Sequence, residues 1–194
     1  MRILIAMLLT LSWLLGGCEK PTEKFKIPPP QYPVLTLEIL SSVPDDKLES
    51  VVLDHIRSKV GEDYENEYKI VKSLSAGFQM VEATCAVEAE VYNGGFNQFF
   101  WNSSGEFRME AVEGYEMIGA KEHEKLMSEA LKIYSSLESK IKLQQKEGTL
   151  KAFSDSYKDN PLNKLDDQFY ALKEDASAMR IKFIREHLEL FVSK

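Results

Sequence analysis

The sequence predicts an all-α fold, a single multi-helix domain of about six to eight helices around one core. Three observations predict it. From Leu48 onward, apolar residues recur at spacings of three and four, the period of one helix face. No run alternates apolar and polar residues with the period of two that a half-buried strand needs. Turn-forming residues punctuate these stretches, at Pro44, Gly61, Gly94-Gly95, Gly105, Gly119 and Pro161. There is no internal repeat.

Taken in order, Val34 to Leu40 fits either a short strand or a helical turn. Pro44, Asp45 and Asp46 then suit a helix start, since proline is preset for a first turn and carboxylates favour the positive end of the helix dipole. Leu48, Val51, Val52, His55, Ile56 and Val60 form the stripe of this helix, and Gly61 stops it. Glu62 to Glu67 is acidic, and helix resumes near Tyr68. Phe78, Val81, Cys85, Ala89 and Tyr92 form the next stripe, ending at Asn93-Gly94-Gly95. Met109, Val112, Met117 and Ile118 mark another helix, closed by Gly119. His123, Leu126, Met127, Ala130, Leu131, Tyr134 and Leu137 mark a longer one. Asn160-Pro161 pairs a cap with a first helical position, and Leu162, Leu165, Phe169 and Leu172 follow. Met179, Phe183, Ile184, His187, Leu188 and Phe191 complete the last helix.

The most specific stretch runs from Glu90 to Gly105, E-V-Y-N-G-G-F-N-Q-F-F-W-N-S-S-G. Asn-Gly-Gly ends a helix, because these residues tolerate positive φ and let the chain turn. Phe96, Phe99 and Phe100 then share one seam of a short second helix, with Asn97 and Trp101 off it. Gln98 and Asn102 share another face, and Ser103 or Ser104 suits a following cap. Two readings stand. Glu90, Asn93, Gly94, Gly95, Gln98, Asn102 and Ser103 either hold a double turn together or line a small polar pocket between aromatic walls.

The N-terminus reads as an address. Arg2 precedes thirteen residues, Ile3 to Leu15, that are apolar except Thr10 and Ser12. That fits a secretory segment and falls short of the roughly 20 residues of a spanning helix. The run ends in Leu15-Gly16-Gly17-Cys18, which resembles the lipobox of bacterial lipoproteins. On that reading residues 1–17 are a signal peptide, and Cys18 takes a diacylglycerol and acyl chains. An ordinary signal peptide with an incidental cysteine, or an uncleaved anchor, is the alternative. Glu19 in place of Asp resembles the outer-membrane sorting pattern of double-membraned bacteria, with the domain on the periplasmic side. Residues 18–33 are the lipidated Cys18 and a tether, Glu19 to Pro33, with Pro21, Pro28, Pro29, Pro30 and Pro33, which reads as extended chain of about 3.1 Å per residue or roughly 45 Å in all. Residues 34–194 are the helical domain. Cleavage removes Arg2 and takes the net charge from −7 to −8. Cys85 is then without a partner in its chain and is either a buried small hydrophobe or a reactive thiol.

The composition, 44% hydrophobic and 28% charged, is that of a globular protein. The negative charge argues against direct nucleic-acid binding, which needs a basic patch. His-Glu-x-x-His, Walker and Gly-x-Ser-x-Gly motifs are absent. His55, His123 and His187 fall on three separate stripes, and Glu88 and Glu90 face different sides of a helix, so neither a metal nor a cofactor is expected.

Asn93-Gly94-Gly95-Phe96, Gln98-Phe99-Phe100, Asn102-Ser103-Ser104-Gly105 and Ile118-Gly119-Ala120 resemble a bacterial family of unassigned function that includes the C-terminal domain of a DNA-mimic protein. Leu165 to Tyr170 and Ile181 to Phe191 are similar to its closing pattern, so the likeness spans roughly Leu48 to Phe191. The resemblance implies an all-helical fold and no agreed catalytic residues. The lipobox and tether depart from it, since DNA mimicry belongs in the cytoplasm. The reading is therefore a lipid-anchored, non-enzymatic protein whose helical domain binds an unidentified ligand or protein partner. The alternatives are an acidic DNA mimic, using Glu106, Glu110, Glu113, Glu116 and the Glu62 to Glu67 cluster, and an enzyme of unrecognised type.

Overall fold

Thr36 decides the first ambiguity in favour of helix. Its hydroxyl accepts the Ile39 amide at 3.2 Å and opens α1, Leu37–Ser42. The computed structural model describes Pro29 and residues 31–193; Cys18, the proposed signal segment and most of the tether lie outside the described residues. After α1 come α2 (Asp45–Val60), α3 (Glu67–Lys72), α4 (Ala76–Trp101), α5 (Arg108–Ile118) and α6 (Lys121–Glu147). Then follow α7 (Leu150–Ser156), α8 (Asn163–Tyr170) and α9 (Ala176–Glu186). Tight 3-10 turns occupy Tyr64–Asn66, Ser103–Phe107 and Leu188–Phe191. The described residues thus form an all-α domain with nine α-helices and no strand. Gly61 and Gly119 end α2 and α5 with positive φ, as the sequence predicts.

The central element is α4, which packs against α2, α3, α5, α6, α8 and the C-terminal turn. It is buried on almost every side: Met80, Val81, Ala83, Val87 and Val91 lie in the core, with Glu82, Thr84 and Glu90 among them. The predicted single stripe is too narrow for such a helix, and its members Ala89 and Tyr92 are exposed. On α5 the predicted stripe holds in part: Ile118 is buried and Val112 packs against the core. Met109 and Met117 are exposed, and α5 presents Ala111, Gly114, Tyr115 and Ile118 inward. Small residues win there because a Cβ on Gly114 would sit 2.9 Å from Thr84 Cγ2 of α4, so the two helices meet at close range.

Two buried polar ties join distant segments. Arg180 of α9, 1% exposed, holds Glu88 of α4 through both oxygens at 2.6 and 2.8 Å and Glu49 of α2 at 2.7 Å. Where the chain enters the domain, the Leu35 amide donates to Ser193 Oγ at 2.8 Å and the Ser193 amide donates to the Leu35 carbonyl at 2.9 Å. His55 Nε2 completes this clasp, 3.1 Å from the same hydroxyl.

Candidate functional site

The helix α4 consists of two limbs that meet at a break, Gly94, with an extended φ of −164°, and Gly95, at φ +76°. A Cβ on Gly95 would overlap the Asp166 carboxylate, and one on Gly94 would overlap the Gln98 side chain. Gly95 is required by its left-handed conformation and is crowded by Asp166, whereas a side chain at Gly94 would have to push the Gln98 amide aside. The backbone groups freed by the break are taken from elsewhere. Asp166 of α8 accepts the Phe96 amide at 2.8 Å, capping the second limb of α4 from another helix. The Tyr157 hydroxyl donates to the Gly94 carbonyl at 2.9 Å, and that of Tyr170 to the Val91 carbonyl at 2.8 Å. Burial pushes the Asp166 carboxyl above its ordinary value, an effect that the Phe96 amide only partly offsets and Asp167 adds to.

The second limb buries Phe96, Phe99 and Phe100 as expected. Phe96 meets Phe169 edge-on at 5.6 Å, and Phe100 stacks on Tyr134 at 4.2 Å. Asn97, predicted off this seam, is fully buried. It donates to Ser156 Oγ and accepts from Asn160 Nδ2, both at 2.8 Å, pinning α4 to the loop before α8. Nearby, Glu90 acts as a hub. Its Oε2 accepts from Gln98 Nε2 at 2.7 Å and Asn102 Nδ2 at 3.0 Å, and its Oε1 accepts from Ser104 Oγ at 2.9 Å. Of the residues singled out in the sequence, the structure brings Glu90, Gly94, Gln98 and Asn102 together. Asn93 and Ser103 are exposed, and Ser104 takes the place expected of Ser103. Asp166, Tyr157 and Asn160 complete the arrangement, each acting across 63 or more positions, while Asn160 also accepts the Leu162 amide at 3.0 Å, the local capping role expected of it before Pro161.

The acidic segments also converge. Tyr68 packs edge-on against Phe107 at 5.2 Å and donates to Glu110 Oε1 at 3.1 Å, and Lys72 Nζ lies 2.7 Å from the same oxygen. This joins the Glu62–Glu67 region to the start of α5. Glu62, Asp63 and Glu65 before α3 and Glu106, Glu113 and Glu116 at and along α5 are exposed, and so are Tyr64, Met109 and Met117 of the same segments. Glu110 breaks the predicted carboxylate stripe, since its side chain is only 6% exposed. Burial pushes its carboxyl up, but the bonds from Lys72 and Tyr68 outweigh this and hold it below the ordinary value.

The three histidines have separate surroundings. His123 Nδ1 is 2.7 Å from Glu174 Oε2, between Tyr115 and Phe169, and Glu174 also accepts the Glu122 and His123 amides, capping α6. His55 belongs to the clasp, and His187 lies against Phe183 at 4.4 Å. Cys85 is partly buried beside the core, and desolvation holds its thiol well above the ordinary value.

No curated protein and no solved structure matches the chain. A family model described as DMP19-like protein matches residues 72–187, shorter than the span of the resemblance but including α4 to α9. That is more than half of the 194 residues, and the chain belongs to the DMP19-like protein family.

Proposed function

We propose that the chain is a membrane-tethered interaction protein whose helical domain offers an acidic face to a basic surface of a protein partner. The observation that carries the reading is a pair of segments rich in exposed carboxylates, Glu62, Asp63 and Glu65 before α3 and Glu106, Glu113 and Glu116 at and along α5, tied together through Tyr68, Lys72 and Glu110, with Tyr64, Met109 and Met117 exposed on the same segments. Aromatic and methionine side chains are enriched where proteins meet, and Tyr64, Met109 and Met117 supply both kinds. The charge is also lopsided. From Gly61 to Ala120 there are eleven acidic and three basic residues, against thirteen and fourteen from Lys121 to Lys194. The lipobox-like Leu15 to Cys18 supports attachment through Cys18, and the prolines that follow support a spacer. In this reading Glu90, Gly94, Gly95, Gln98 and Asn102 form a structural joint, because both Glu90 oxygens already have donors from the same stretch.

A second reading, DNA mimicry in the cytoplasm, draws on the same face and on membership of the family. Its weakness is charge density. One face of a 40 Å length of duplex shows about 12 phosphates, and the six exposed carboxylates named above supply half of that.

The test is to express Cys18→Ser beside the wild type, fractionate the cells and identify crosslinked partners at low and high salt. Wild type in the membrane fraction, Cys18→Ser outside it and a salt-sensitive basic envelope partner are expected. Soluble wild type bound to a DNA-binding protein would replace this reading with the mimic.

A further inference from the structure

Tyr92 of α4 and Tyr170 of α8 form an aromatic pair on the surface, just before the kink. Their rings lie 5.9 Å apart and nearly parallel, at 23°, yet the two residues remain 64% and 47% exposed. Neither ring is free to drift. The Tyr170 hydroxyl donates to the Val91 carbonyl, and the buried Phe169 meets Tyr92 at 5.5 Å and 68°. Aromatic surface held in place and left open to water is the kind that interfaces use.

The charge beside the pair is negative and uncompensated. Asp166 and Asp167 precede Tyr170 by four and three positions, which puts both on the side of α8 that Tyr170 occupies. Asp166 is half-buried and gives Oδ1 to the Phe96 amide, whereas Asp167 is exposed. Among the described residues no lysine or arginine pairs with either carboxylate, and the Asp167 side chain accepts no hydrogen bond. Burial first, then these two carboxylates and Tyr92, hold the Tyr170 hydroxyl above its ordinary value.

We infer that this pair receives an arginine side chain of a protein partner, the guanidinium lying on the tyrosine rings and bonding to Asp167. The chemistry selects arginine. A planar guanidinium stacks on an aromatic face and still offers its edge donors to a carboxylate, whereas an ammonium is a compact charge that holds its water more strongly. A sugar ring stacks on tyrosine too, but leaves the charge beside it uncompensated. None of these residues belongs to the acidic segments before α3 and along α5, so the site stands independently of that face.

The experiment uses the full-length protein in a mild detergent, with tyrosine rings labelled with ¹³C, and follows Tyr92, Tyr170 and the exposed Tyr64 of the acidic segment by NMR. The probes are a glycine-serine peptide carrying one arginine, the same peptide carrying one lysine, and the trimer of N-acetylglucosamine. The arginine peptide shifts the Tyr92 and Tyr170 rings saturably, at lower concentration than the lysine peptide, and the sugar leaves them in place. Asp167→Asn, at an exposed position, weakens the arginine response about threefold. Tyr92→Leu weakens the response read at Tyr170 by about the same factor. Unmoved Tyr92 and Tyr170 rings overturn the inference. So do equal responses to arginine and lysine, saturable shifts from the sugar, or an Asp167→Asn response identical to wild type. Shifts at Tyr64 alone would overturn this site and leave the acidic face standing. Shifts at the pair with Tyr64 unmoved would support the site whatever becomes of that face.

Discussion

Asp166 Oδ1 lies 2.8 Å from the amide nitrogen of Phe96, so that a residue of α8 caps a helix limb seventy positions earlier in the chain. This bond holds the kink at Gly94 and Gly95 in the central helix of the fold. Asp166→Ala leaves the Phe96 amide without an acceptor and is expected to destabilise the protein by about 1–2 kcal/mol. Asp166→Asn keeps a carbonyl oxygen in place and loses less. Urea unfolding of the two variants measures the difference, and equal losses would show that the cap contributes nothing.

Gly95 and Gly148 both have positive φ, +76° and +61°, but only Gly95 has a neighbour where a Cβ would be. Gly148→Ala is expected to cost about 1 kcal/mol for the left-handed backbone alone. Gly95→Ala must also displace the Asp166 carboxylate and loses about 3 kcal/mol or more. Thermal unfolding of the pair checks this ordering, and similar melting temperatures would mean that the joint yields easily.

Removing the Glu90 hub should be worse than removing any one of its donors. Glu90→Ala strands Gln98, Asn102 and Ser104 together and is expected to cost about 3 kcal/mol. Gln98→Ala and Asn102→Ala are each expected near 1–2 kcal/mol. Denaturant midpoints alongside a partner-capture assay separate the roles. Full stability with lost capture in either single variant would make the stretch a binding site and not a joint.

Stability should fall on mild acidification, and His55 sets the first part of the slope. Burial, with Lys59 nearby, holds its imidazole below the ordinary value, so the folded state keeps it neutral. The unfolded imidazole titrates near about 6.5. Between that pH and the lower folded value the unfolded chain carries more protons, and stability drops as pH falls. Glu174 acts with the same sign further down. Burial pushes its carboxyl up, but bonds from His123 and Glu122 outweigh this and hold it low, so its contribution is present above about pH 4.3 and lost as pH falls through the folded value. Urea midpoints at pH 7, 6 and 5 for wild type and His55→Gln test the first step. The variant should lose the slope nearest neutrality, and parallel curves would remove His55 from the account.

Arg180 is the least replaceable charge in the domain. Arg180→Met leaves Glu88 and Glu49 facing each other without a cation and is expected to cost about 3–5 kcal/mol. Adding Glu88→Met to it should recover part of that loss, because a half-broken buried pair is worse than none. A double-mutant cycle in urea measures the recovery, and strictly additive losses would exclude the coupling.

These positions also mark what the sequence made legible. Helix period and helix stops are local properties, so α2, α6 and the glycines ending α2 and α5 could be read directly. Which face turns inward is not always a local property. On α5 the larger methionines lost to Ala111 and Gly114, because the close approach to α4 rewards small volume over hydrophobicity. On α4 a stripe analysis had to fail, since a central helix is buried over most of its surface and only a few positions such as Ala89, Tyr92 and Asn93 stay exposed. The polar residues of the joint split the same way. Glu90, Gln98 and Asn102 meet at helical spacings and could be grouped in advance. Asp166, Tyr157 and Asn160 arrive from folded neighbours and could not.

The clasp between Leu35 and Ser193 sets how the domain carries mechanical load. A pull on the chain before Leu35 is delivered at the point where the C-terminal segment is bonded, through two hydrogen bonds worth about 1 kcal/mol each. The two ends of the domain therefore act as a single handle, and a pull at either end is felt first at the seam between Leu35 and Ser193.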